Sequence, residues 1–207
     1  MKPIDELLKQ HELTHGTLCP GALLGLRMAV LGCALLGIED PCGKDRNKLI
    51  VWVEIDRWLA DAIQTVTHAR LGKRTLKFRD YGKLAATFLN LETGKAVRLV
   101  ALESARRLAD LRHPEIRDKY MRQMQTYREA AAEELFGVRN VEVRVRAKDL
   151  PGHPRSRVIC HKCGEGVNDA REIALRDGIT LCRSCVYGSY YQPQQKTMER
   201  QLNTKSA

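Results

Sequence analysis

Residues 49–67 read LIVWVEIDRWLADAIQTVT, and within this stretch the spacing of apolar side chains changes period. Leu49 to Ile55 is short, β-branched and nearly all apolar, which predicts a central strand covered on both faces. From about Arg57 to Leu71 the period lengthens. Leu59, Ala62, Ile63 and Val66 fall at i, i+3, i+4 and i+7, the spacing of one apolar helix face. Asp61, Gln64, Thr65 and His68 form a second stripe, and this one is polar. A helix with two stripes can pack one on a sheet and turn the other toward a cleft or water.

Upstream lies the most hydrophobic stretch of the chain, Gly21 to Ile38, entered through a Cys19-Pro20-Gly21 corner. Leu23, Leu24, Arg27, Met28 and Leu31 recur at helical spacing, and Gly25, Ala29 and Gly32 let another backbone approach closely. Its length is near the lower limit for a bilayer span and Arg27 sits in its middle, so a buried helix is expected and no membrane partner. A shorter helix is expected over about Ile4 to Glu12. Downstream, TLKFRD, LAATFLNLE and KAVRLVAL read as three strands, with Asn90 to Lys95 as the turn between the last two and Gly94 as its residue of positive φ. Two helices should follow, one over about Glu103 to Leu111 and one from Pro114 to near Gly137. The stripe Ile116, Tyr120, Met124, Tyr127, Ala131 and Leu135 would pack the second. VEVRVR, Val141 to Arg146, alternates strictly and predicts a half-exposed strand.

KDLPGHPRS, with two prolines and a glycine, reads as a linker. The expected division is a first domain over 1–147, a linker over 148–156, a small module over 157–189 and a mobile tail over 190–207. The 43% hydrophobic content of the 207 residues fits a globular protein. The N-terminus lacks the apolar core of a signal peptide, so the cytoplasm is the expected compartment. Net charge is +10, and from Arg139 to Ala207 thirteen Lys/Arg against seven Asp/Glu leave +6. Acids and bases are interleaved throughout, so a solvated surface accounts for most of this excess, with nucleic-acid contact by the C-terminal third as the alternative.

CHKC at Cys160–Cys163 and CRSC at Cys182–Cys185 form C-x2-C-x18-C-x2-C. A C-x2-C turn brings two thiolates roughly 4 Å apart, the edge of a tetrahedron with Zn–S bonds of about 2.3 Å. Gly164 and Gly166 follow the first knuckle, and Asp177-Gly178 marks a turn between two short strands that lead into the second. Two disulfides are disfavoured in a cytoplasmic chain. Four cysteine ligands leave no open position, so the expected ion is a structural Zn²⁺ that stabilises a ribbon too small for its own core. Arg155, Arg157, Lys162, Arg171, Arg176 and Arg183 make that ribbon basic, and Tyr187, Tyr190 and Tyr191 beyond it could stack on bases.

Four stretches taken together, HGTLCPGALLGLRMA, VWVEIDRWLADAIQTVT, LGKRTLKFRDYGKLAATF and TGKAVRL, resemble the FmdE family of formylmethanofuran dehydrogenase components in order and in gaps, over about residues 10 to 100. The resemblance implies an α+β fold, with an α-β-α-β-β-β core, a mixed sheet and additional helices. It also implies a homodimer and association with a molybdenum- or tungsten-dependent formylmethanofuran dehydrogenase, as a component that does not carry the molybdopterin. Some members end in a four-cysteine zinc ribbon. The family's pattern opens HGHxCPG, has a cysteine before the DAIQ-like helix and follows that helix with TGC. This sequence keeps His15, Cys19, Asp61 and Gln64, but has Thr17, Trp58 and His68-Ala69 where the other potential ligands and the glycine fall.

Three readings of the first domain therefore stand side by side. His15, Cys19 and His68 can form a rewired site for a second transition metal, with Asp61 as ligand or orienter. Cys19, ahead of a helix N-terminus, can be a reactive thiol and make the protein a small enzyme. Or His15 is a hydrogen-bonded loop residue and Cys19 a buried thiol at a helix start. For the whole chain, an FmdE-like metal-binding accessory protein is set against a nucleic-acid- or protein-binding module dimerised by its first domain. No Gly-rich phosphate loop and no Ser-His-Asp spacing is present.

Overall fold

The computed structural model describes residues 1–193, and the part of the expected tail from 194 onward lies outside them. The chain divides into two compact units, Met1–Gly152 and His153–Ala207. The first holds helices α1 (Ile4–His15) and α2 (Pro20–Leu35), strand β1 (Leu49–Val53), helix α3 (Trp58–Thr67) and strands β2 (Leu76–Phe78), β3 (Ala85–Asn90) and β4 (Ala96–Ala101). Helices α4 (Ser104–Arg112), α5 (Lys119–Glu129) and α6 (Ala132–Leu135) follow, and strand β5 (Phe136–Val141) closes it. The fold is α+β with a five-stranded mixed sheet in the order β2-β1-β3-β4-β5. Only β1 and β2 run parallel; Val51 sits opposite Leu76 on that side and opposite Phe88 on the other.

The sheet is central in that β1 and β3 bury residues on both of their faces. All six residues of β3 are buried. One face carries Val51, Val53, Ala86, Phe88, Val97 and Leu99 into the main core beneath α2 and α3. The other carries Trp52, Glu54, Thr87 and Arg98, where the Arg98 guanidinium donates to both Glu54 oxygens at 2.6 and 2.7 Å. A buried carboxylate needs such a fork to offset its lost hydration.

Helix α2 is buried nearly all round, and its glycines set the packing distance. A Cβ on Gly25 would lie 2.7 Å from the Leu59 carbonyl oxygen and from the Ala62 Cβ, and one on Gly32 would lie 2.6 Å from the Phe88 ring. The backbone of α2 therefore rests directly on α3 and on β3. Arg27 is tolerated in this apolar helix because its guanidinium donates to the Tyr127 carbonyl at the end of α5. The turn after β3 has Gly94 at φ +70°, as its position predicts.

Two elements after β4 differ from the expectation. The helix from Pro114 to Gly137 is instead α5 and α6, followed by a strand. α5 begins only after Asp118, whose carboxylate accepts the Met121 N–H at 2.7 Å. The chain leaves helical geometry at Ala130, with ψ 146°. Phe136 and Val138 are then drawn into the sheet edge opposite Ala101 and Leu99. The apolar partners offered by β4 outweigh local helix spacing there. Consequently the strand expected at 141–146 is displaced: β5 ends at Val141, and the alternating residues after it belong to no strand.

The second unit has two small hairpins, β6 (Arg157–Ile159) with β7 (Gly166–Asn168) and β8 (Ile173–Ala174) with β9 (Thr180–Leu181), and then a short helix α7 (Arg183–Tyr187). Among its described residues the only buried apolar side chains are Cys160 and Cys182.

Candidate metal centre

The four cysteines of the second unit converge. Cys160 follows β6, and the turn to Cys163 is closed by the Gly164 N–H on the Cys160 carbonyl at 2.9 Å. Cys182 follows β9 and caps α7, its sulfur accepting the Cys185 N–H at 3.4 Å. The second pair thus sits on the first turn of a helix rather than on a second free knuckle. The four Sγ atoms lie within 4.8 Å of one another, with Cys163 and Cys182 at 3.8 Å. This group could hold a metal ion.

Electrostatics favour an ion there. The backbone N–H of Cys182 donates to the Cys160 sulfur at 3.2 Å and, with those of Cys163 and Lys162, holds that thiol down to about 6. Cys185 is pushed up to about 12, chiefly by its sulfur neighbour Cys182. Four thiolates at this separation repel one another unless a cation sits between them. His161 is exposed and turns its Nδ1 to the Thr180 backbone instead, at 3.0–3.1 Å.

In the first unit the candidate residues are spread over three helices. His15 is the last residue of α1 rather than a loop residue, because Gly16 takes φ +82° and ends the helix there. Cys19 caps α2 and accepts the Ala22 N–H at 3.4 Å. Asp61 lies in the first turn of α3, with Gln64 donating to it at 3.5 Å. His68 sits past the other end of α3, about 10 Å further along the axis. It is exposed, in the left-handed conformation with φ +53°. Among the described residues, the four cysteines are the only group of three or more potential ligands that converges. His15, Cys19 and His68 are therefore not gathered as a site. Cys33 is buried, its thiol pushed up to about 12, and exposed Cys42 turns to the Val66 carbonyl.

A residue outside the expected set stands out instead. His11, one turn before His15 on α1, is fully buried and stacks on the His15 ring at a centroid distance of 4.5 Å. Its Nδ1 lies 3.0 Å from the Thr65 hydroxyl, which itself donates to the Asp61 carbonyl. That hydroxyl has spent its proton, so His11 donates from Nδ1 and its Nε2 carries a lone pair. This Nε2 is buried with no partner. Burial first, and then His15, push the His11 pKa below its usual value, so the ring is neutral near pH 7. The i, i+4 spacing of His11 and His15 was the signal available in the sequence.

The model of the family described as "FmdE, Molybdenum formylmethanofuran dehydrogenase operon" matches residues 14–149. A solved structure of an FmdE-like protein from Syntrophus aciditrophicus, named after a component of tungsten formylmethanofuran dehydrogenase, is similar, with a TM-score of 0.60 and 25% identity, over 91% of this chain and 95% of that one. A "Probable S-adenosyl-L-methionine-binding protein" of Archaeoglobus fulgidus is 28% identical over 204 residues, covering 91% of this chain. The chain spans about half of that relative's length, 54%. No helix among the described residues is long and apolar enough to cross a membrane.

Proposed function

Since the chain belongs to the FmdE family, we propose that it is a metal-binding accessory protein whose second unit is built around a structural zinc ion. The observation that carries this reading is the convergence of four sulfurs within 4.8 Å. A tetrahedron with Zn–S bonds of about 2.3 Å has edges of about 3.8 Å, and soft thiolate donors suit Zn²⁺. Four protein ligands leave no place for water or substrate, so the ion stabilises and does not catalyse. A unit whose buried apolar side chains, among its described residues, are two of the ligands has little else there to fold around. Reduced thiolates of this kind fit the cytoplasm. The family and the Syntrophus protein support the accessory role; in this reading the chain, as a homodimer, would serve a molybdenum- or tungsten-dependent formylmethanofuran dehydrogenase or a related enzyme.

Metal analysis of the full-length protein tests this. One zinc per chain is expected, lost in Cys163→Ser. Protein purified without chelator that carries no metal would overturn the reading.

A second reading for the first unit has His11 behind it. An unpartnered imidazole lone pair stacked beside His15 offers a second transition metal nitrogen donors, with water completing its coordination because no third protein ligand converges there among the described residues. A second equivalent of cobalt, retained by Cys163→Ser but lost in His11→Gln, is its expected sign.

A further inference from the structure

Between Asp61 and Asp80 the sequence carries Arg70, Lys73, Arg74, Lys77 and Arg79 and no acidic residue. Folding concentrates part of this charge. The loop from α3 to β2 faces the turn before β1 and the Pro151-Gly152 end of the first unit, and together they enclose a cleft of about 440 Å³. Arg46, His68 and Lys73 line it together with Asn47, Thr67 and Thr75, and no acidic residue is in the lining. Leu49, Ala69 and Pro151 add an apolar wall.

Among the described residues, Arg46 and Lys73 lack the carboxylate partners that several cations elsewhere on this surface have. Lys44, Lys48, Arg112 and Arg122 all pair with carboxylates at 2.6–3.3 Å. Among the described residues neither the Arg46 nor the Lys73 side chain makes a hydrogen bond or an ion pair. His68 registers the same field: its pKa is pushed down by partial loss of hydration and then by Arg70, Lys73, Arg46 and Lys2, with no carboxylate to offset them.

We propose that this cleft binds a small phosphorylated molecule, with Arg46 and Lys73 on the phosphate and the Leu49–Ala69 wall against the rest. An Arg fork and a Lys point charge are the usual complement of a phosphate, and an anion between them replaces repulsion by two charge-assisted bonds. The volume falls in the range of small-ligand clefts, about 300–1,000 Å³. Its concavity favours a compact ligand over a nucleic-acid strand, which needs an open groove with stacking aromatics. The site is independent of the zinc.

Calorimetry on the full-length zinc protein, at about 0.1 M salt where surface charge is largely screened, tests the proposal. The probes are inorganic pyrophosphate, ADP and a single-stranded oligonucleotide. Pyrophosphate and ADP should bind, and Arg46→Gln and Lys73→Gln should each weaken them by about tenfold, the loss of one charge-assisted bond. Both side chains are exposed, so the melting temperature should not move, while Lys119→Gln, at the start of α5, leaves affinity unchanged. Failure of both small probes to bind overturns the proposal. So does binding that neither variant weakens. Tight oligonucleotide binding lost in the same two variants would make the cleft part of a nucleic-acid surface instead.

Discussion

His11 is the residue at which the chemistry of the first unit is most exposed to a test. It is an ionisable ring with no access to solvent, one nitrogen satisfied by Thr65 and the other by nothing. Its folded pKa lies below its unfolded value near 6.5, so the unfolded chain binds the extra proton. The stability it permits is fully present above about pH 6.5 and is lost as pH falls below that value, with a slope of up to about 1.4 kcal/mol per pH unit. Urea unfolding of the first unit at pH 7.5 and at pH 5.5 should show this loss, and His11→Gln should flatten it. An unchanged slope in the variant would mean that the ring is already solvated. His68 shows the reverse limit on reading residues one at a time. The polar stripe Asp61, Gln64, Thr65, His68 is real as far as Thr65, but the helix ends at Thr67, and His68 follows it in the left-handed conformation, outside the helical stripe. A glycine at that position would have announced the turn; a histidine concealed it.

Among the elements, the contact between α2 and α3 organises the first unit, and Gly25 sets it. With a Cβ due 2.7 Å from the Leu59 carbonyl and from Ala62, Gly25→Ala must push two buried helices apart. Overpacking of this kind costs about 1–3 kcal/mol, whereas the same change at solvent-facing Gly72, with nothing nearby, should cost far less. Thermal melts of the two variants provide the comparison; equal shifts would contradict close helix contact as the organising feature. Most elements were legible because each had one dominant signal. β1 and α3 were marked by the change of period, α2 by its apolar run with small residues, and β3 and β4 by strand composition around a glycine turn. The region from 114 to 146 was not, since a run of Tyr, Met, Ala and Leu at helical spacing is compatible with a helix until a sheet edge competes for its end. Only the open edge of β4 decides that Phe136 to Val141 form a strand. The convergence of the four cysteines was legible for another reason. Two C-x2-C pairs report ligand geometry through spacing alone, although not that the second pair would ride on a helix.

At the scale of the molecule, two units rest on different sources of stability. The first has a contiguous apolar core from α1 to β5. The second has strands of two or three residues and, among its described residues, a buried interior made of cysteine. If a metal ion holds the second unit together, its removal should unfold that unit and spare the first. Hydrogen exchange on the full-length protein, before and after a strong zinc chelator under reducing conditions, reads this without intermediaries. Amides of residues 157–187 should lose protection together as one zinc per chain is released, while those of β1, β3 and α2 keep theirs. Protection in 157–187 that survives complete removal of the metal would contradict a unit built around an ion.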